Sequence, residues 1–600
     1  MMNYKVPLKD MHFVANDVLD MPTHYARFAR GHAAEPDMVA AIWEEAAKFC
    51  ENELAPLNRI GDEEGCTWND GEVTTPTGFK EAYDNYVANG WPLLACPEEY
   101  GGQNMPESMA LVFMEMMIAT NHSWSMYPGL SSGAMKTIHT HAPDHLKQRF
   151  MPPMVEGKWT GTMCLTEPHA GSDLGMLKTK AVPDAEAVED GTYKISGSKI
   201  FISSGEHDFA DNIIHIVLAR LPDAPRGIKG ISLFLVPKFN VNTDGSLGDR
   251  NGVRCGSIEE KMGIHGNSTC VMNFDDAQGY LISAPNKGMS AMFTFINESR
   301  LGVAMHGQAH SEVAFQKSLA YARDRVQFRT KPRVNADKPA DPIISHPDVR
   351  RMLLTQKVFA EGGRMLNMYC GKLVDVSLAQ ELPSEEREEA ETLLAILTPI
   401  AKGFLSETSL ETTNLGIQVF GGHGFIKEWG MEQEVRDARI SQLYEGTTGI
   451  QGLDLLGRKI LGTRGAALKP LMDEMNDFIK ANRWNKHGRA LKPYVKMWQS
   501  LTRSVGWSAM KNTDEVNAAA VDYLMMAGYV TVAYFWAQAA RIAEDKIEAG
   551  EGDADFLQSK ISTADFYFQR IMPRTLGHEQ AIKNGMDSIM SIDEDKFLFV

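Results

Sequence analysis

The hydrophobic pattern of this chain changes period twice, and that restricts what it can fold into. Residues 36 to 57 open with Pro36 and Asp37. Val39, Ile42, Ala46 and Phe49 follow at helical spacing, with Glu44, Glu45 and Lys48 between them. That is an amphipathic helix. Apolar helix-like stretches continue through MALVFMEMMIAT to about His145. From Lys158 the pattern turns β-rich, in TMCLT, TYKISGSKIFIS, NIIHIVLARL, GISLFLVPKF and TCVMNF, separated by Gly, Pro, Asp and Asn. Helical periodicity returns at Asn297 and lasts to about Leu461, interrupted by the loop RTKPRVNADKPADP. GTRGAALKP reads as a linker before more helix. The expected class is α+β. The expected order is an N-terminal extension (1–35), an α-helical domain (36–159), a compact β domain (160–280), a helical domain (281–462) and a C-terminal helical extension (470–600).

Lys plus Arg total 60 and Asp plus Glu 78, a formal charge of −18. Such a surface repels phosphate backbones, so nucleic acid is not an expected partner. The small basic cluster Lys486, Arg489, Lys492 and Lys496 reads as a solvated helix face. The 7 cysteines are scattered and never form C-x-x-C. They predict a reducing, cytoplasmic setting without a disulfide framework. The opening MMNYKVPLKDMHF has no apolar run, so no signal peptide is expected. The most membrane-like segment, Tyr523 to Ala540, carries three tyrosines together with Thr531 and Gln538. It reads as a buried bundle helix rather than a span. Metal-ligand spacing, a P-loop, G-x-G-x-x-G after a strand and the G-x-S-x-G elbow are all missing from the sequence. Triad hydrolysis and Rossmann-type dinucleotide binding drop out. His423 stands alone and is a weak metal ligand.

Five stretches carry chemistry. In MCLTEPHAGSD (163–173) a strand breaks into a loop where Gly171 permits close backbone approach and Thr166 and Ser172 offer hydroxyls. A plain strand–turn is the alternative. In SGSKIFISSGEHD, Ser196, Gly197 and Ser198 read as a turn between two strands. On the second strand, Ile200 and Ile202 face one way and Phe201 and Ser203 the other. A ring beside a hydroxyl suits a flat conjugated ligand, although a packed β-core aromatic fits the pattern as well. In YEGTTGIQ, Thr448 and Gln451 have capping-box spacing, which places a helix start near Gly449. Glu445 precedes it and reads as a general base or as a solvated loop carboxylate. Arg325 in YARDRVQF suits a phosphate or a helix C-terminus. QVFGGHGF (418–425) has the look of a helix C-cap.

Order and separation make these signals specific together. PEEYGG, CLTEPHAGSD, KIFISSG, EKMGIHG, NESR, RDRVQF, QVFGGHGF, RDARI and YEGTTGIQ, which with the helix before them span about residues 36 to 462, resemble the acyl-CoA dehydrogenase family. The resemblance implies an N-terminal helical domain, a middle β-barrel-like domain and a C-terminal four-helix bundle, here with an extra C-terminal helical domain. It also implies noncovalent FAD. Met163, Leu165, Thr166, Gly171 and Ser172 would line the flavin ring and pyrophosphate. Phe201 would stack on the ring, beside Ile202, and Ser203 would hydrogen-bond the hydride-accepting nitrogen. Arg325, Phe328, Gln418, Gly421 and Gly422 would hold the adenosine and pyrophosphate across a dimer interface, with Thr447, Thr448 and Gly449 as a further contact. Ser172, Asn297, Arg300 and Gly446 would contact the acyl-CoA, and Glu445 would be the catalytic base. Phe201 and Ser203 stand where the family often has Trp and Thr, and His169 where Gly is common.

The implied reaction is α,β-dehydrogenation of an acyl-CoA to the trans-2-enoyl-CoA. An electron-transferring flavoprotein would be the acceptor, or oxygen if the protein were an oxidase, and the chain would be a homodimer. The full length resembles a longer subgroup of the family, for which 3-methylmercaptopropionyl-CoA or a medium- or long-chain fatty acyl-CoA are the candidate substrates. The methionines, 34 in all, suit either an adaptable acyl pocket or plain core.

Overall fold

The computed structural model describes residues 4–185, 191–334 and 336–598. The chain forms two compact units, one of residues 44–302, the other of 1–43 with 303–600. Helix α1 (Pro36–Phe49) continues in helical backbone to Glu64. Helices α2 (Glu107–His141) and α3 (Asp144–Val155) follow, then strands β1 (Trp159–Cys164), β2 (Lys180–Pro183), β3 (Thr192–Ser203), β4 (Asn212–Arg220), β5 (Ile231–Pro237), β6 (Val253–Ile258) and β7 (Thr269–Leu281). Helix α4 spans Gly288–Asp324.

In the unit of residues 44–302 the sheet closes on itself. β4 pairs with β5, β5 with β7, β7 with β3, β3 with β2, and β2 returns to β4 through Lys180 and Arg220. Closure removes the free edges of those five strands. β1 adds in parallel to β4, and β6 antiparallel to β7. β4 and β5 are buried on both faces, which is why they read as continuous apolar runs. Ile214, Ile216 and Leu218 pack with Ala134, Phe150, Met154 and Phe295 of the helices. Val217 and Ala219, on the alternate face, pack with Ile195, Ile202, Phe234 and Met272 inside the ring. Gly161 sets the distance between β1 and α2, because a Cβ there would lie 2.4 Å from the Ala134 Cβ. Met109, Met116 and Met117 are buried, so these methionines are core.

Two local expectations are corrected. Ser196, Gly197 and Ser198 do not form a turn, because β3 runs unbroken through them. Gly197 is there for close approach: a Cβ would sit 2.5 Å from the Thr179 hydroxyl. The simple alternation of Ile200, Phe201, Ile202 and Ser203 also fails. A bulge shifts the register between Lys199↔Met272 and Ile202↔Cys270, so one residue of β7 faces two of β3.

The other unit is helical. It contains α5 (Pro347–Leu378), α6 (Ser384–Phe420), α7 (Met431–Arg439), α8 (Thr448–Leu453), α9 (Lys469–Ala481), α10 (Lys486–Ala509), α11 (Asp514–Ala549), α12 (Ala554–Phe566) and α13 (Thr575–Asn584). Helix α11 is built into the bundle. A Cβ on Gly528 would meet the Phe404 ring at 2.2 Å, and the Trp536 indole N–H donates to the Val358 carbonyl at 3.1 Å. Residues 384–425 and 514–549 are long and apolar enough to cross a membrane by length and composition, but 78% of each apolar window is buried in the protein.

A buried charge network ties the N-terminal segment to this unit. Asp10 accepts from Arg364 of α5 and Lys560 of α12. Lys560 also donates to Glu361 at 2.8 Å, Arg364 to Glu312 at 2.9 Å, and Lys357 pairs with Glu361. Three cations face three carboxylates. Burial pushes the Asp10 carboxyl up, but Lys560 and Arg364 outweigh it and hold it at about 2. Its contribution to stability is therefore complete above the usual carboxylate range and is lost as pH falls toward 2. Asp10→Asn is expected to cost ~3 kcal/mol in urea unfolding at neutral pH. The variant should also lose less stability than wild type between about pH 4 and pH 2, and equal acid sensitivity in the two would contradict the assignment.

Candidate active site

Glu445 lies in the short segment between α7 and α8, half-buried, with φ +56°. Gly446 follows at φ +94°. A left-handed glutamate costs on the order of 1–3 kcal/mol and persists only where its surroundings impose it. Here they do so at several points. The Gln451 side-chain N–H donates to the Glu445 carbonyl at 2.9 Å and to the Gly446 carbonyl at 3.4 Å. The buried Lys402 ammonium donates to the Gly446 carbonyl at 2.5 Å. On either side of the turn, Gln442 and the Thr448 hydroxyl both donate to the Glu407 carboxylate. The helix cap differs from expectation: Thr447, one residue earlier, accepts from the Ile450 N–H and α8 begins at Thr448. The Thr448 hydroxyl is turned to Glu407 instead.

Tyr444, next to Glu445, has its hydroxyl 2.5 Å from His306 Nδ1 on α4. Burial, aided by the charges of His310 and Lys402, pushes His306 down to about 3, so the imidazole is neutral at physiological pH. His310 in turn contacts Glu434 at 2.9 Å. Glu434 is held at about 2 by Lys317 and His310 against its own burial.

In the same unit, Arg325, Phe328, Gln418, Gly421 and Gly422 are all exposed, Phe328 at 82% and with φ +56°. Tyr321 brings the two stretches together. Its ring stacks on Phe420 at 4.3 Å and its hydroxyl meets His423 Nδ1 at 2.9 Å. His423 also stacks on Trp429. Its ring is thus occupied by neighbours, and no group of three or more potential metal ligands occurs among the described residues. Thr447 is exposed and Gly449 half-buried.

In the unit of residues 44–302, Phe201 sits on the β3 bulge at φ +58° and is 59% exposed. Ser203 is half-buried. Its carbonyl accepts from the Thr162 hydroxyl at 2.6 Å, while its own hydroxyl enters no protein hydrogen bond among the described residues. Ile202 is buried in the core, so only its backbone is available to a ligand. Met163, Leu165 and Thr166 are half-buried, Gly171 and Ser172 exposed. Asn297 is exposed and Arg300 buried on α4.

The loop after β1 is shaped by a buried pair that the motifs did not reveal. Lys199 donates to Glu167 at 2.9 Å and to the Leu165 carbonyl at 3.0 Å. Glu167 also accepts from the Thr179 hydroxyl and from the Thr179 and Lys178 N–H groups. Lys199, Thr179 and Lys178 overcome burial and hold Glu167 at about 2. His169 reaches the Met176 carbonyl at 3.2 Å across the same loop.

Lys402, Glu407 and His306 lie outside the motifs, and the contacts of Gln451 with the turn carbonyls and of Tyr444 with His306 could not be read from YEGTTGIQ. One signal was present: Lys402 is a lone cation inside LLAILTPIAKGFL, where an unpaired lysine would not be tolerated.

Family models cover nearly all of the chain. Residues 37–158, 162–277 and 286–461 match the N-terminal, middle and C-terminal domains of acyl-CoA dehydrogenase, and 471–593 match an acetyl-CoA dehydrogenase C-terminal-like domain. The chain belongs to the acyl-CoA dehydrogenase family and is an oxidoreductase. It is 38% identical to 3-methylmercaptopropionyl-CoA dehydrogenase of Ruegeria pomeroyi, over 98% of this chain and 100% of that one. It is 35% identical to a butyryl-CoA dehydrogenase of Syntrophomonas wolfei, over 99% of each. An acyl-CoA dehydrogenase from Bacillus anthracis, solved in complex with FAD, shares the fold at TM-score 0.73 and 20% identity, over 95% of this chain and 91% of that one.

Glu167→Gln would leave the Lys199 ammonium buried without its counter-ion. The expected result is a loss of ~3 kcal/mol in chemical denaturation and faster proteolysis between residues 164 and 178. A variant as stable and as resistant as wild type would contradict this account of the loop.

Proposed function

We propose that this protein is an FAD-dependent acyl-CoA dehydrogenase that uses Glu445 as its base and acts on a short acyl-CoA, with 3-methylmercaptopropionyl-CoA the preferred candidate. The observation that carries the reading is the left-handed Glu445–Gly446 turn, inside YEGTTGIQ and fixed by side chains on both flanks. The residues suit a flavin. Phe201 offers a bare aromatic face on a strained bulge, and the Ser203 and Thr166 hydroxyls are not spent on protein partners among the described residues. When bound, FAD supplies acceptance of the β-hydrogen as hydride. The protein's share is to hold the thioester and to remove the α-proton. The α-proton is a weak acid, so it moves only if an ionised carboxylate is fixed within hydrogen-bond reach of it. Glu445 takes that proton on its carboxylate, and the product is the trans-2-enoyl-CoA.

The short-acyl assignment is supported by two full-length relatives whose names specify 3-methylmercaptopropionyl and butyryl thioesters. Electron-transferring flavoprotein is the proposed acceptor; anaerobic dye-coupled turnover without peroxide release in air would separate this from an oxidase. A homodimer is proposed through the surface of Arg325, Phe328, Gln418, Gly421 and Gly422, where the resemblance places an interface and beside which Phe425 and Ile426 are exposed. A cytoplasmic setting is supported by the 7 free thiols.

Glu445→Gln keeps shape and removes the base. Turnover is expected to fall by roughly 10³-fold while the variant retains FAD and acyl-CoA binding. Turnover near wild type would refute the role.

A further inference from the structure

We propose that Lys402 is the positioning residue of the catalytic base, acting through the Gly446 carbonyl to fix the turn on which Glu445 stands. The inference rests on the reading of Glu445 as the base and goes beyond it, because Lys402 lies 43 positions away on α6 and belongs to none of the motifs that carry the family resemblance.

Lys402 is fully buried, and its ammonium donates to the Gly446 carbonyl. On the same helix Leu397, Ile400 and Phe404 are all at 0% exposure. Burying an ammonium costs several kcal/mol unless it is compensated, and an apolar side chain would serve packing better. Helix α6 also carries Glu407, five residues on and about 7 Å along the axis. Glu407 accepts from Gln442 before the turn and from Thr448 after it. One rigid helix thus grips the turn with a cation at its centre and an anion at its two flanks.

Gln451 completes the grip from α8. Gly403, adjacent to Lys402, has no side chain to keep α6 away: a Cβ there would lie 3.4 Å from the Gln451 Cβ and 2.4 Å from Leu524. Gly446 is equally confined, since its Cβ would lie 2.8 Å from the Gln451 amide nitrogen at a φ that L-residues avoid. The same ammonium helps hold His306, the partner of Tyr444, in its neutral form. Lys402 therefore constrains the residue after Glu445 directly. A base misplaced by about 1 Å loses on the order of 10²-fold in rate.

The test compares Lys402→Met, Lys402→Arg and Glu445→Gln as FAD-loaded enzymes with butyryl-CoA deuterated at the α or the β carbon. Lys402→Met is expected to lower kcat about 10²-fold with KM within a few-fold of wild type. Its α-deuterium isotope effect should rise relative to the β-deuterium effect, because proton removal becomes the harder part of the step. Lys402→Arg, which keeps a cationic donor, is expected to recover part of kcat and to return the isotope effects toward wild type. Should the Met variant not fold, Lys402→Gln, with a donor of shorter reach and no charge, is read in the same way. Wild-type kcat and isotope effects in Lys402→Met, or a loss confined to KM, would overturn the proposal. A dead Glu445→Gln beside a normal Lys402→Met removes only the positioning role. An active Glu445→Gln removes the base assignment itself.

Discussion

The proposed base of this protein stands on one unfavourable piece of backbone. Glu445 and Gly446 stand in succession at positive φ, and no local propensity puts a glutamate there. The conformation is imposed from outside by Lys402, Glu407 and Gln451. These come from α6 and α8, and α6 is itself held by the close glycine contacts of α11 at Phe404 and Leu524. The C-terminal extension thus takes part in building the base turn through packing. Its long apolar helix is buried because it completes the bundle.

Strain recurs at two further positions. Phe201 and Phe328, which the resemblance gives to the cofactor, also lie at positive φ and are exposed. An aromatic in that backbone region exposes apolar surface and gains nothing from local conformation. It is held at Phe201 by the register shift against β7. Such positions make sense as sites prepared for a flat ligand before it arrives.

The sequence made much of this legible. The change of hydrophobic period located the β module, because β4 and β5 are buried on both faces and so read as continuous Ile, Leu and Val runs. The ordered motifs pointed to the family and to Glu445. Less accessible were features that depend on chain pairing. Ser196-Gly197-Ser198 has turn composition, yet Gly197 serves a close approach to Thr179 that only the folded sheet reveals. Alternation along β3 fails because the extra residue of a bulge has no signature in one strand alone. The cap fell on Thr447 rather than Thr448 because two adjacent threonines are equivalent in composition, and the Glu407 carboxylate claims the second. The buried lysines at 199 and 402 were visible as residues, but their partners are distant in sequence and become neighbours only through the fold.

The most direct test of the central claim is anaerobic mixing of the FAD-loaded protein with 3-methylmercaptopropionyl-CoA or butyryl-CoA, with flavin absorbance and thioester products followed together. The account predicts bleaching of the flavin with one trans-2-enoyl-CoA formed for each flavin reduced. A flavin that stays oxidised with both thioesters, and no enoyl product, would contradict it.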